Sequence, residues 1–281
     1  MANYRLSGYT TQASVDVPDT DSLGNVLSMS TSTPFNSTQW NRVRTAGADT
    51  LSLTSNTLTV SASRVESGGS FLFAQRAFLQ FAIPNNLSRL DATPHLFLNV
   101  DDSSGTTRIV PTSVNTTNIK VPWDTTTSTN AFQSVQVSDS AKYISNASVT
   151  VASGENTISL NELAKFHVLF GGNVSSGTRY LTIAIVEYTY DWTDTLPGAG
   201  VTNTITFDNK LMSDPPRLIL NKPWFIDDKG AEFPVAGDYT IRAFNVDVNQ
   251  RDRSVPQLPF STAIKGPAYL RGKNVPYKVT S

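Results

Sequence analysis

Cysteine is absent from the 281-residue chain, and charged residues make up only 16% of it. Without cysteine the chain has no disulfide, no thiol nucleophile and no thiolate ligand for a metal. The 22 basic and 23 acidic side chains nearly cancel, to a net charge of −1. Nucleic-acid binding normally needs clustered Lys and Arg, so the composition predicts no nucleic-acid partner.

Long apolar runs are also missing. Met1–Arg5 leads into a polar segment that lacks the apolar centre of a signal peptide, and no later run approaches the length of a membrane span. We therefore expect no membrane partner and no cleaved export signal.

Catalytic motifs are lacking as well. The sequence has no G-x-S-x-G, no H-E-x-x-H and no phosphate-binding glycine loop. Its two histidines, His95 and His167, lie in no motif beside a nucleophile or a carboxylate, and both are interpreted as structural. The sequence thus predicts a protein that is not an enzyme, with no catalytic residue, no cofactor and no metal requirement.

Residues 157–190 contain the most distinct helix and strand signals. Ser159 precedes Glu162 by three residues, the spacing of a capping box, and Gly171-Gly172 supplies a stop. A short helix is therefore predicted from Ser159. In the following strand, residues 180–188, apolar side chains occupy both alternating sets, which is typical of a central strand covered on both faces.

Further short strands are predicted on either side of this unit. They are residues 51–60 as a hairpin, then 71–81, 95–100, 109–110, 119–121, 132–137, 205–207, 215–220 as an edge strand, and 239–246. Asp101 and the residues after it are predicted to form a turn. Many short strands with one short helix indicate an all-β fold, a jelly-roll β-sandwich.

Three segments follow from these patterns. Residues 1–40 are predicted to be an N-terminal arm or edge strands, residues 41–221 the β-sandwich domain, and residues 222–281 a Pro-rich C-terminal extension for assembly contacts. The apolar residues expected to make the contacts of this extension are Tyr239, Ile241, Phe244, Phe260, Tyr269 and Tyr277.

Several of these motifs resemble the DNRLRE-type domains, which are jelly rolls similar to carbohydrate-binding modules and occur in bacteriophage virion and bacterial surface proteins. Residues 76–81, Arg-Ala-Phe-Leu-Gln-Phe, are similar to the family's R-x-F-L-R-F strand. Residues 207–218 are similar to its F-x-S-[KR]-E…P-P-x-L ending, but with Asn209 and Leu211 in place of Ser and Glu. The resemblance spans roughly residues 10–220 and includes the strand–helix–Gly–strand unit at 157–186.

Side-chain chemistry suggests two kinds of ligand site. Asp101, Asp102 and Ser103, or Asp191 with Asp194, supply oxygen atoms of the kind that bind calcium, although a plain turn explains the first group better. Four aromatic residues are candidates for stacking on a sugar ring, or equally for packing in the core or at a subunit interface. They are Trp123, Tyr188, Tyr190 and Trp192, of which the last three share a face if their strand continues that far.

Together, the resemblance, the lack of a signal peptide and the neutral, hydroxyl-rich composition favour a bacteriophage virion structural protein, assembled in the host cytoplasm. We expect a capsid decoration or cement protein, or a head-fibre base, that binds the major capsid protein or another virion protein and forms a homo-oligomer, trimer or dimer. A carbohydrate-binding module and a host-binding tail or baseplate adhesin remain as alternatives.

Overall fold

The computed structural model describes residues 20–29, 35–46, 57–66, 70–104, 108–114, 130–135, 137–175, 177–208, 214–235 and 237–242. Antiparallel strands dominate these residues and form a sandwich-like arrangement with few short helices, which confirms the predicted all-β class. None of the helices in this part of the chain has the length and apolar character needed to cross a bilayer.

The elements are numbered in chain order. The strands are β1 (Thr20–Met29), β2 (Thr57–Val65), β3 (Ser70–Ile83), β4 (Leu87–Leu90), β5 (His95–Ser104), β6 (Arg108–Ser113), β7 (Val149–Thr150), β8 (Gly154–Ser159), β9 (Asn173–Ser175), β10 (Thr178–Glu187), β11 (Thr202–Asp208), β12 (Arg217–Leu220), β13 (Pro223–Ile226), β14 (Glu232–Pro234) and β15 (Tyr239–Arg242). The helices are α1 (Ser37–Thr45), α2 (Asn130–Gln133) and α3 (Glu162–Phe170).

Strand β3 lies between β2 and β10 in the large sheet and connects the strands on either side. Its first half pairs with β2 and its second half with β10, and β1 follows it over ten residues. The large sheet runs in the order β15-β12-β5-β11-β2-β3-β10-β6-β7, while β4, β13 and β14 form a smaller sheet. The apolar run at residues 71–81 was predicted as a core strand or strand pair, and it forms one long strand.

Two hydrophobic cores lie on opposite faces of β10. Leu181, Ile183 and Ile185 point into the main core, which also takes side chains from β5, β11, β12 and α3. Ala184 and Val186 point into a second core under α1 and α2. Burying a large apolar side chain contributes about 1.5–3 kcal/mol, so both faces stabilise the strand. The prediction that this strand is central and covered on both faces is confirmed.

The predicted helix exists, but it begins later than its capping box suggested. Ser159 ends β8, and Asn161 caps α3 by accepting a hydrogen bond from the backbone N–H of Ala164 over 3.1 Å. The amide of Asn161 also donates to the carbonyl oxygens of Tyr143 and Ser145, which precede β7, so the cap is anchored to the body. The predicted stop is correct, because α3 ends at Phe170, immediately before Gly171.

A second helix of nine residues, α1, was not among the predictions, which held one short helix. Asn36 and Gln39 form a complete capping box at its start, with reciprocal hydrogen bonds of 3.0 and 2.8 Å. Trp40 and Val43 are buried in the second core on the outer face of the sheet. The helix thus supplies the cover for that face.

Three local predictions are wrong. The described part of residues 132–137 (132–135 and 137) does not form a strand, because α2 and a turn place Phe132 and Val135 in the second core. Strand β5 does not stop at Asp101 but runs to Ser104, since its end pairs with β11 beyond a bulge. Strand β12 is not an edge strand, because it pairs with β5 on one side and β15 on the other.

Both outer parts of the chain contribute strands to these sheets. In residues 1–40, β1 pairs with β3; in residues 222–281, β15 pairs with β12, and Tyr239 and Ile241 are buried in the main core. The predicted segments at 51–56, 119–121 and 243–246, and the tail residues Phe244, Phe260, Tyr269 and Tyr277, lie outside the described residues.

Candidate functional site

The aromatic sequence after β10 is not a continued strand. The strand ends at Glu187, and Tyr188–Trp192 forms a single π-helical turn, so Tyr188, Tyr190 and Trp192 do not share a strand face. The completely buried Glu187 carboxylate holds this turn by accepting backbone N–H bonds from Thr189, Tyr190 and Asp191 at 2.7–3.1 Å.

The amide of Asn203, on β11, donates a fourth hydrogen bond to the Glu187 carboxylate over 3.0 Å. Burial raises the pKa of Glu187, and the four donated hydrogen bonds oppose part of that rise. The side chain therefore acts as a structural anchor that ties the turn to the sheet.

A buried arginine lies beneath the turn. Arg76 of β3 donates from Nε and Nη2 to the two carboxylate oxygens of Asp191, each over 2.7 Å, and both side chains are fully buried. Its remaining donors reach the carbonyl oxygens of Phe132 and Arg44, and its guanidinium stacks 3.9 Å from the Phe132 ring centroid. One side chain thereby connects β3, α1, α2 and the π-helical turn.

Arg44 of α1 also contacts the π-helical turn. Its Nε donates to the backbone carbonyl of Asp191 over 2.6 Å, and its Nη1 lies 2.5 Å from the carboxylate of Asp194. Burial lowers the pKa of Arg44, and the two carboxylates oppose this shift. Because both aspartates pair with arginines, the calcium ligand set suggested for Asp191 and Asp194 is already occupied by guanidinium groups.

The other proposed calcium ligands are also spread over separate contacts. Asp101 lies against Asp208; burial and the neighbouring negative charge raise the pKa of Asp101. The Asp102 carboxylate accepts the backbone N–H of Ser103 over 2.8 Å, as in a tight bend. Across the described residues, no group of three or more His, Asp or Glu side chains is placed to hold a metal ion.

The predicted sugar-stacking residues are largely covered. Trp192 is 3% exposed and packs against Tyr143, with ring centroids 4.9 Å apart. Tyr188 is partly buried beneath the guanidinium of Arg108, 4.3 Å from the ring centroid, and Tyr190 is also partly buried. Trp123 lies outside the described residues. The three described aromatic residues pack in or against the second core.

The two histidines are far apart in sequence and have separate surroundings. Nδ1 of His95 lies 2.7 Å from the amide nitrogen of Asn221, at the start of β5. His167 is partly buried on α3, and burial together with the charge of Lys142 lowers its pKa. In the described part of the chain, neither forms an ion pair with a carboxylate.

Sequence reasoning missed the most exposed apolar surface. Phe166 and Phe170 lie one helical turn apart on α3 with 55% and 70% of their surface exposed, and their ring centroids are 5.5 Å apart. Val174 of β9, which follows directly, is 69% exposed. We call these three residues the α3 patch. Its signal in the sequence is the phenylalanine pair at spacing four, on the opposite side from the buried Ala164 and Val168.

Neither a comparison with models of known protein families nor a search of curated proteins finds a match to this chain. The resemblance to DNRLRE-type domains thus rests on the quoted motifs alone and stays a prediction.

Proposed function

We propose that this chain is a non-enzymatic bacteriophage virion structural protein, a capsid decoration or cement protein or the base of a head fibre. It binds the major capsid protein or another virion protein through contacts between preformed surfaces. The motif resemblance supports the choice of a virion protein, and the α3 patch supports a function in protein–protein contact.

The α3 patch is the observation that carries the proposal. Forty-six apolar side chains are buried in the described residues, whereas four large ones are exposed. Three of those four are the neighbours Phe166, Phe170 and Val174, and the fourth, Ile226, lies on β13. Single exposed apolar residues are normal, but a local group that includes two aromatic rings tilted against each other is typical of an interaction surface.

The buried arginine cluster fits the same function. Arg76, Arg44 and Asp191 connect α1, α2 and the π-helical turn to the sheet without leaving a polar group of theirs open to a substrate. A body stiffened in this way presents its surface side chains in fixed positions. Pre-organised surfaces bind without the entropic cost of ordering, as a passive structural protein requires.

The test is binding to the particle of the virus whose genome encodes the chain. Mass spectrometry of gradient-purified particles should find the chain at a fixed copy number. Particles from which the chain has been removed should rebind the purified wild-type protein. They should rebind the variant Phe166→Ser/Phe170→Ser at least about tenfold more weakly, because large aromatic anchors dominate interface energies.

Ile226→Ser is the matched control, since it also removes an exposed apolar side chain but lies outside the patch. Unchanged binding of this variant together with loss for the double variant supports the proposal. Absence of the chain from purified particles would overturn it. Equal rebinding by the wild-type protein and the double variant would show that particle binding does not depend on the α3 patch.

A further inference from the structure

The exposed phenylalanines of α3 share one side of the helix with a charged residue, Glu162. Glu162, Phe166 and Phe170 follow at intervals of four residues, so they lie on one side of α3, and all three are exposed. Val174 of β9, four residues after Phe170 in the sequence, is exposed as well. We call Glu162, Phe166, Phe170 and Val174 the α3 stripe. Its first residue carries a carboxylate, and the other three are apolar.

A cation lies at the other end of the α3 stripe. Arg179 of β10 is the direct cross-strand partner of Val174, and its Nη1 contacts the carbonyl oxygen of Gly171 at the end of α3 over 3.4 Å. The side chain is partly buried, and burial lowers the pKa of Arg179. Within the described residues no carboxylate pairs with this guanidinium.

We propose that the α3 stripe pairs with the α3 stripe of a second copy of the chain, antiparallel, around a twofold axis between Phe166 and Phe170. The inference rests on the proposed function, in which the α3 patch is a protein–protein contact, and it names a second copy of the chain as the partner of that patch. The particle is then bound by the dimer, so that loss of the patch weakens particle binding through loss of dimerisation. In a twofold interface the same surface must be complementary to itself, and this stripe meets that condition.

The antiparallel direction follows from the order of residues along the stripe. Rotation about the axis places Phe166 against Phe170 of the partner subunit, so the aromatic pairs meet at the centre. It also places Glu162 opposite Val174 of the partner subunit, beside Arg179 of the partner subunit. A parallel arrangement would instead bring the two Glu162 carboxylates together, which like-charge repulsion disfavours.

The Glu162 side chain is available for this contact. It is 78% exposed, and its ion pair in the chain, to Nζ of Lys165, is long at 3.6 Å. A stable interface covers about 800 Å² on each partner, more than three side chains supply. The paired surface is therefore small, and we expect weak self-association that is detected at high protein concentration.

Cysteine cross-linking tests the direction, because the chain has no cysteine of its own. Full-length chains are prepared as the single variants Glu162→Cys and Val174→Cys, which keep both phenylalanines. Under mild oxidation, mixing the two variants should give a cross-linked dimer in at least about fivefold higher yield than either variant alone. The excess is expected because a disulfide requires the two Cα atoms to lie within about 7 Å.

Any of three outcomes overturns the inference. The wild-type chain is monomeric by light scattering at up to about millimolar concentration. Glu162→Cys cross-links with itself as efficiently as in the mixture, or the chain forms a dimer that does not give the mixed cross-link. The particle-binding test is independent of these results. A chain that binds particles without the mixed cross-link disproves twofold pairing and leaves the proposed function intact.

A charge reversal supplies the second readout. Glu162→Lys should weaken self-association by at least about threefold, since it replaces an attraction to Arg179 of the partner subunit by repulsion. Glu155→Lys is the matched control, because it makes the same charge change at an exposed position on β8. Equal effects of the two variants would contradict the proposed contact, and a loss confined to Glu162→Lys supports it.

Discussion

Arg76 and Asp191 form a two-point ion pair, with both N–O distances at 2.7 Å and both side chains fully buried. The residues are 115 positions apart in sequence. The pair therefore joins the long central strand to the π-helical turn that follows the other central strand. Two such charges are costly to remove from water, and the structure compensates by satisfying the remaining donors of Arg76 with backbone carbonyls.

The first prediction concerns this ion pair. Arg76→Met should lower the free energy of unfolding by about 3 kcal/mol, because it leaves the buried Asp191 carboxylate with only the longer contact to Arg44 Nε at 3.4 Å. Asp191→Leu should cost a similar amount. The double variant should cost clearly less than the sum of the two, since neither charge is then left alone. Urea denaturation followed by circular dichroism measures all three.

The partly exposed pair Arg64 and Glu66 provides the control. Their side chains are 20% and 39% exposed, with an N–O distance of 2.6 Å. Arg64→Met should cost less than about 1 kcal/mol, as is usual for ion pairs in contact with water. Additive effects of the two substitutions at 76 and 191 would show that the pair does not act as a unit.

The second prediction concerns Glu187 and pH. Burial raises the pKa of this carboxyl in the folded chain, so folding favours its protonated form. The corresponding stability is fully present below the ordinary pKa of glutamate and is lost as the pH rises through the folded pKa. Glu187→Gln should remove this fall in unfolding free energy, as measured by urea denaturation at a series of pH values.

Asn203→Leu is the companion variant for that experiment. The Asn203 amide donates to the Glu187 carboxylate and so opposes the rise in its pKa. Without that donor the pKa should rise further, and the loss of stability should extend to higher pH. If the unfolding free energies of the wild type and of Glu187→Gln depend on pH in the same way, Glu187 is not the group that causes the fall in stability.

The strands were predictable where side chains alternate. In β11 the apolar side chains are spaced by two residues, and in β10 they fill both alternating sets, because successive side chains point to opposite faces of a sheet. Helix α3 was found for a similar reason, from its apolar face and the glycines after it. These elements carry their own local pattern, so the sequence shows them without knowledge of their neighbours.

Elements defined by distant partners could not be predicted in the same way. Helix α1 has few apolar residues, and its burial depends on the outer face of β3. The π-helical turn exists because the Glu187 carboxylate accepts three N–H groups, which no periodicity reveals. At the α3 patch, Phe166 and Phe170 look like ordinary core residues in sequence, and only the direction of the helix shows that they are exposed.

The third prediction concerns the carboxyl pair at the end of β11. The pKa of Asp101 is raised by burial and by the charge of Asp208, so at neutral pH the two carboxylates repel each other. Asp101 is exposed, so water screens part of this repulsion, and Asp101→Asn should stabilise the fold by less than about 1 kcal/mol. Asp102→Asn is the control at the neighbouring position. The gain should shrink at low pH, where Asp101 is protonated, and thermal unfolding at pH 7 and pH 3 measures this difference.

The last prediction compares two glycines with nearly the same backbone. Gly172 has φ +91° and Gly154 has φ +93°, conformations that strain any L side chain. A Cβ at Gly172 would lie 2.3 Å from the backbone oxygen of Tyr180, whereas a Cβ at Gly154 would meet nothing within 4 Å. Gly154→Ala should therefore cost about 1–2 kcal/mol from strain alone.

Gly172→Ala should cost at least about 2 kcal/mol more than Gly154→Ala, because the pairing of β9 with β10 must shift to admit the methyl group. Urea denaturation of the two variants measures the difference. Since β9 carries Val174 and β10 carries Arg179, Gly172→Ala should also weaken self-association, while Gly154→Ala should not. Equal unfolding free energies for the two variants would show that the contact with Tyr180 does not constrain residue 172.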